Sequence, residues 1–290
     1  MSGRPVARRT RTPVPARRTR PIRRASAGLS TVRAGAALAM LVSAAAFYGV
    51  GASPAFDYTK VQLDGVHLTD PAAVEAALAD ARGENLFRLA TGPLQAALER
   101  LPTVDHARID VRLPGTLAVT IEERRPVLIW KAGEGRYFAA ADGTLFTRLD
   151  DHAPREAAGL PIVDDRRVTS MGLSIGSRLD PVDVDAATRL ASLTPADVGS
   201  SAVALDVAVT DENGFVLTTK PAGWSAVFGF YTPSLRTTGL IPGQVRLLRS
   251  LIIGREPEVE RVILASETDG TYVPRATSKP STPAKPSKAP

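Results

Sequence analysis

The sequence predicts an α+β protein carried on a single apolar helix: a small unit in the order β-α-α-β-β, then a β-rich unit with helices. Three observations predict it. Ala34 to Phe56 is a run of 23 consecutive uncharged residues. Between residues 57 and 125 the hydrophobic period changes from helical to alternating. Beyond Pro126 short apolar runs are punctuated by Asp142-Gly143, Asn213-Gly214 and Asp269-Gly270, the dipeptides that favour tight hairpins.

The apolar run, AGAALAMLVSAAAFYGVGASPAF, is long enough to cross a bilayer, since about 20 helical residues span the roughly 30 Å hydrocarbon core. Ten arginines and no acid occupy residues 1–33, whereas residues 57–80 carry five acids and one lysine. The positive-inside rule then puts residues 1–33 in the cytoplasm and residues 57–290 outside, the chain being embedded in the plasma (inner) membrane by one span at 34–56. A cleaved leader is the competing reading, because Val50-Gly51-Ala52 resembles a small-residue cleavage site. The long basic region and long apolar stretch argue against it.

Charge repeats the division. The net +6 comes from the two ends: fourteen of the 36 cations lie in 1–33 and 271–290, leaving 22 against 30 acids between them. The arm has no interleaved aromatic residue, so it reads as a disordered topology determinant touching anionic headgroups, with no specific nucleic acid as partner. The Pro/Ser/Lys-rich segment 274–290 reads as a disordered tail.

In the first unit, Tyr58–Val66 reads as a strand. Thr69-Asp70-Pro71 places a cap before a proline at the first helical position, and Val74, Ala77, Leu78 and Ala81 follow at helical spacing up to Gly83. A second helix starts near Thr91-Gly92-Pro93, with Leu94, Ala97, Leu98 and Leu101 on one face. Then Ala107, Ile109, Val111 and Leu113 alternate with charged residues, and Leu117, Val119 and Ile121 alternate again after Pro114-Gly115. This is a hairpin with one apolar face, which the two helices would cover.

These residues carry a resemblance. The β-α-α-β-β order resembles a POTRA domain. The phrases VQLDGVHLTDPAAVEAAL, GENLFRL and LERLPTVDHARIDVRLPGTLAVTIEERRPVLIW resemble the FtsQ/DivIB family of bacterial cell-division proteins. The order of parts strengthens it: basic arm 1–33, helix 34–56, POTRA domain 57–125, β domain 126–273, tail 274–290. The resemblance implies a non-enzymatic scaffold at the division septum that recruits and regulates septal peptidoglycan synthesis. Its implied partners are FtsB-like and FtsL-like coiled-coil proteins and, through them, the septal peptidoglycan synthase complex.

In the second unit, strands are expected at Val127–Lys131, Arg136–Ala140, Thr144–Phe146, Leu160–Val163, Ala202–Val209, Phe215–Thr219, Trp224–Phe230, Val259–Ala265 and Thr271–Val273. Helices are expected at Val182–Leu193 and Gln244–Ile253, the latter burying Val245, Leu248, Leu251 and Ile252. The last strand is short, β-prone and stopped by Pro274. A terminal strand leaves backbone N–H and C=O groups unpaired, and a partner strand can satisfy them. Thr271, Tyr272 and Val273, with Val262 and Leu264 on the preceding strand, are therefore the candidate partner-binding residues. Tyr272 is the favoured anchor, because aromatic side chains dominate interface hot spots. The resemblance agrees, since FtsQ-like proteins accept FtsB there. A plain closing strand of the core is the alternative.

Chemistry is sparse. Without cysteine there is no disulfide, thiol nucleophile or Cys-based zinc site, and His67, His106 and His152 show no ligand spacing. Gly172-Leu173-Ser174-Ile175-Gly176 matches a nucleophile elbow, but no histidine follows it and Ser177–Pro181 is no helix. Glu122-Glu123 and Asp164-Asp165 are adjacent and point to opposite faces of a strand, so they read as solvated charge. No catalytic residue, cofactor or metal is expected. The rival functions are a POTRA protein of a secretion or outer-membrane assembly system, and an exported cell-wall enzyme.

Overall fold

The computed structural model describes residues 30–150, 154–221 and 223–276. Most of the arm (1–29) and of the tail (277–290), and Ala222 of the expected Pro221–Gly223 turn, lie outside the described residues.

The N-terminal segment up to Ala52 has one described element, helix α1 (Thr31–Ala52), whose 22 residues reach about 33 Å and none of which is buried. It begins three residues before the uncharged run and ends four before Phe56. Pro54 accounts for the end: Ser53 takes extended geometry, accepts the Ala55 N–H and opens a 3₁₀ turn, Pro54–Phe56.

From Ser53 the chain folds first into strand β1 (Lys60–Asp64), helices α2 (Pro71–Ala77) and α3 (Thr91–Leu98), and strands β2 (Val104–Arg112) and β3 (Thr116–Glu123). The Asp70 carboxylate caps α2 at the Ala72 N–H, as the sequence predicts. β3 lies in the middle of the sheet, parallel to β1 and antiparallel to β2. Val74, Leu78, Leu98, Val104, Leu117 and Ile121 form the core between helices and sheet. The helices cover only part of the hairpin's apolar face: Val111 and Leu113 stay exposed. Leu98 is fully buried, so Leu98→Ala should lower stability by about 2–5 kcal/mol, read as the unfolding midpoint of residues 53–276. An unchanged midpoint would show that this helix does not pack as described.

The rest is one nine-stranded sheet. Its strands are β4 (Pro126–Ala132), β5 (Gly135–Ala140), β6 (Leu145–Arg148), β7 (Ile162–Asp165), β8 (Ala204–Thr210), β9 (Gly214–Lys220), β10 (Ser225–Gly229), β11 (Val259–Leu264) and β12 (Gly270–Pro274). The order is β12-β11-β10-β9-β8-β7-β4-β5-β6. Helices α4 (Pro181–Ala191) and α5 (Ile241–Ile252) make the crossovers between the parallel pairs β7/β8 and β10/β11, because a parallel connection cannot be a tight hairpin. Both pack on one face, over Leu128, Trp130, Val207, Leu217, Phe228 and Val262. On the other face Ile129, Phe138, Phe146 and Leu149 form a second cluster that also receives Leu68 from the loop before α2. β4 is thus buried on both faces, which its unbroken Val-Leu-Ile-Trp run reflects.

Two expectations for charged pairs need correction. Glu122 and Asp164 keep contact with solvent, but their neighbours do not serve as solvated charge. The Glu123 carboxylate accepts the N–H groups of His67 (2.9 Å), Leu68 (2.8 Å) and Thr69 (2.7 Å). Burial raises its pKa, but these bonds more than offset that and hold it below the usual carboxylate range. Asp165 is buried. Opposite faces were the right inference, but Asp165 faces the interior and the half-buried Glu123 faces a row of backbone donors. Arg124, beside Glu123, donates to the Pro102 carbonyl (3.0 Å) and pairs with Asp142 (2.9 Å), tying the first sheet to the second.

Candidate partner-binding edge

β12 is one edge of the nine-stranded sheet, with β11 on one side and, among the described residues, no strand on the other. Its register pairs Thr271 with Ile263, Tyr272 with Val262 and Val273 with Arg261. The Ala265 N–H bonds the Asp269 carbonyl at 2.9 Å. Hydrogen-bonded and non-hydrogen-bonded pairs alternate along an antiparallel ladder. Thr271 and Val273 therefore turn their backbone toward β11, and Gly270 and Tyr272 turn theirs outward.

Cross-strand neighbours share a face, so Tyr272 stands on the helix-covered side beside Val262, at the rim. Tyr272 is 36% exposed and Val273 42%. Val262 and Leu264 are buried, and their side chains hold β11 against α5; Ile263, between them, is exposed, as are Glu260 and Arg261 of the same strand. The last strand is longer than expected. Pro274 belongs to it, and Arg275 continues the ladder by donating its N–H to the Glu258 carbonyl (2.7 Å) and its guanidinium to the Gly223 carbonyl (2.7 Å).

The parallel pair that carries this edge is tied at both ends. At the C-terminal ends, Arg236 donates to the carbonyls of Phe228 (2.6 Å), Leu264 (2.8 Å) and Ala265. Gln244, fully buried on α5, donates to the Leu264 carbonyl (3.2 Å) and accepts from the Tyr231 hydroxyl (2.7 Å). Burial pushes the Tyr231 phenol well above its ordinary pKa, so it stays a donor. β10 ends in Gly229 at φ +84, a left-handed conformation that suits glycine, and a Cβ there would stand 3.3 Å from Arg236. These three polar residues went unnoticed in the sequence. Gln244 left a signal, since it falls four before Leu248 on the buried stripe of α5.

At the N-terminal ends, Glu256 accepts from the Ser200 hydroxyl, the Ser201 N–H (2.9 Å) and hydroxyl (2.8 Å), and Trp224 Nε1 (2.9 Å). Burial opposes its charge, but these donors prevail and take its pKa down to about 2. A depressed folded-state pKa contributes stability above the unfolded value of about 4.3, lost as pH falls toward about 2. Glu256→Gln should therefore cost about 1–2 kcal/mol at pH 7, and the gap from the parent should close between about pH 4.5 and 2. Melting curves across that range check it; a gap that does not change with pH would contradict it.

Ser174 lies on an exposed turn with its N–H bonded to the Ser177 hydroxyl (3.1 Å), after a 3₁₀ turn and not a strand. It lacks the strand that an elbow requires.

Residues 56–124 match the family described as POTRA domain, FtsQ-type. The cell division protein FtsQ of Burkholderia pseudomallei is 31% identical over 114 residues, covering 39% of this chain and 44% of that protein. The cell division protein FtsQ of Chloroflexus aggregans is 29% identical over 172 residues, covering 59% and 61%. That of Mycobacteroides abscessus is 26% identical over 160 residues, covering 53% and 49%. The chain thus spans between about two fifths and three fifths of the length of the relatives it matches. An FtsQ-type POTRA domain built as β-α-α-β-β and relatives of one kind in distant bacteria support the FtsQ/DivIB family for this chain.

Proposed function

We propose that this chain is a single-pass division protein whose open β12 edge recruits a partner strand. In this reading residues 1–33 stay in the cytoplasm, the apolar helix anchors the chain in the plasma membrane, and residues 57–273 work outside as a POTRA domain and a β domain. The partners are FtsB-like and FtsL-like proteins, and through them the septal peptidoglycan synthase complex. The role is scaffolding and regulation at the septum, without catalysis. The observation that carries the reading is the edge itself: a strand with outward backbone at Gly270 and Tyr272, on a parallel pair tied at both ends. The relatives, each named a cell division protein, support the process.

Depletion followed by microscopy tests the function: cells should form filaments with unfinished septa, and continued normal division would reject it. Topology has its own test. A reporter fused before Met1 should stay cytoplasmic and one fused after Pro290 should lie outside. A mature N-terminus mapped at Ser53 would reject the anchor and support the cleaved leader.

A further inference from the structure

We infer that the end of the POTRA domain formed by Phe56, Phe87 and the turn after β2 rests on the bilayer surface, an inference that takes α1 to be the membrane anchor. Chain length is the first argument. Phe56 follows the last residue of α1, Ala52, by four residues, so at most about 14 Å of extended chain separates them. The segment is not a free linker. Asn85 donates its side-chain amide to the Ser53 carbonyl (3.0 Å), and the Leu86 N–H donates to the Phe56 carbonyl (2.9 Å). The rings of Phe56 and Phe87 meet edge to face at 5.1 Å. On the other side Thr59 and Lys60 donate their N–H groups to the Gly115 carbonyl (3.0 and 3.1 Å), bringing in the turn that follows Leu113.

This end is apolar where a soluble surface would not be. Phe87 and Leu113 are each 54% exposed and Val111 is 39% exposed, and none of them joins the core beneath the helices. Arg88 and Arg112 stand next to them in the chain, and Lys60 is brought to the same end by its bond to the Gly115 carbonyl, against Asp57 and Glu84; Asp110 is taken by Arg108 at 3.1 Å. Aromatic rings with basic neighbours suit the headgroup layer, where the ring is half solvated and the cation meets anionic lipid.

The cysteine-free sequence makes the test direct. Phe87→Cys, Leu113→Cys and Val111→Cys, with Leu235→Cys as a control at a residue that is 93% exposed, are each labelled with an environment-sensitive fluorophore. The full chain is reconstituted alone in phosphatidylglycerol-containing vesicles, and only variants with parental circular dichroism are used. After flotation with the vesicles, labels at 87, 113 and 111 should shift to the blue. A headgroup-spin-labelled lipid should quench them at least twofold more than the label at 235. A chain that floats while these labels match the control, equally quenched by iodide, overturns the inference and leaves the anchor standing; a protein occupant for this surface would give that result. A chain that does not float overturns the anchor, and the inference with it.

Discussion

Asp165→Ala should be the most damaging single substitution for the fold, lowering stability by about 3–5 kcal/mol. Asp165 closes β7, the fourth strand from the β6 edge, and its side chain has no solvent exposure. It accepts from Trp130 Nε1 (3.2 Å), the Ser170 hydroxyl (2.6 Å), and the backbone N–H (3.1 Å) and guanidinium (3.0 and 2.8 Å) of Arg167. Arg167 also pairs with Asp183 on α4 (2.7 Å). Burial works against charge on both sides of that pair. It raises the Asp183 pKa outright, whereas for Arg167 the two carboxylates overcome it and keep the cation. Removing Asp165 leaves a buried indole N–H, a buried hydroxyl and a half-paired guanidinium, and an unpaired buried charge costs more than the pair contributes. At about 2–4 °C per kcal/mol for a unit of this size, the midpoint should fall by roughly 6–20 °C. Asp165→Asn, which keeps the shape and one acceptor, should fall less. Equal loss in both would mean that the charge, which both remove, sets the effect and packing adds nothing to it.

What the sequence made legible follows from what periodicity can carry. Alternation gave the β2–β3 hairpin, and capping chemistry gave the start of α2, because both are local. The same logic placed Glu123 and Asp165 on the face opposite their neighbours. It could not say what those faces meet, since their partners lie as far as 35 to 56 residues away. Strand order was hidden for a related reason. The parallel pairing of β4 with β7 and of β7 with β8 places strands side by side that no turn connects. That β12 stands at the edge of the described sheet was legible because a short β-prone run closed by a proline is a local signal that needs no distant partner. Arg236 was illegible, because its role is to satisfy carbonyls that become neighbours only once β10 and β11 pair in parallel.

Tyr272→Pro should weaken partner binding by roughly ten- to hundredfold while leaving the isolated unit folded. Proline removes one N–H and fixes φ near −65°, so its cost depends on where that N–H points. At Thr271 it would take a bond from the ladder to Ile263; at Tyr272 it takes only the outward donor. Edge strands accept proline for this reason. A partner strand docked on β12 would find its carbonyl unanswered, a loss of about 1–3 kcal/mol, and each 1.4 kcal/mol is tenfold in affinity. Tyr272→Phe supplies the contrast: it keeps the backbone donor and most of the ring, so affinity should hold if the backbone carries recognition. Tyr272→Glu should fail for a different reason, since it sets a charge on the rim beside Val262. Truncation at Ser266 is a coarser version, because it also strips the cover from β11 and removes Glu267, whose side chain packs against Gly243 at the start of α5. Pull-down with the partner, against circular dichroism of the same preparations, separates these effects. If Tyr272→Pro and Tyr272→Glu both bind as the parent does, the partner lies elsewhere and β12 is only the strand that closes the sheet.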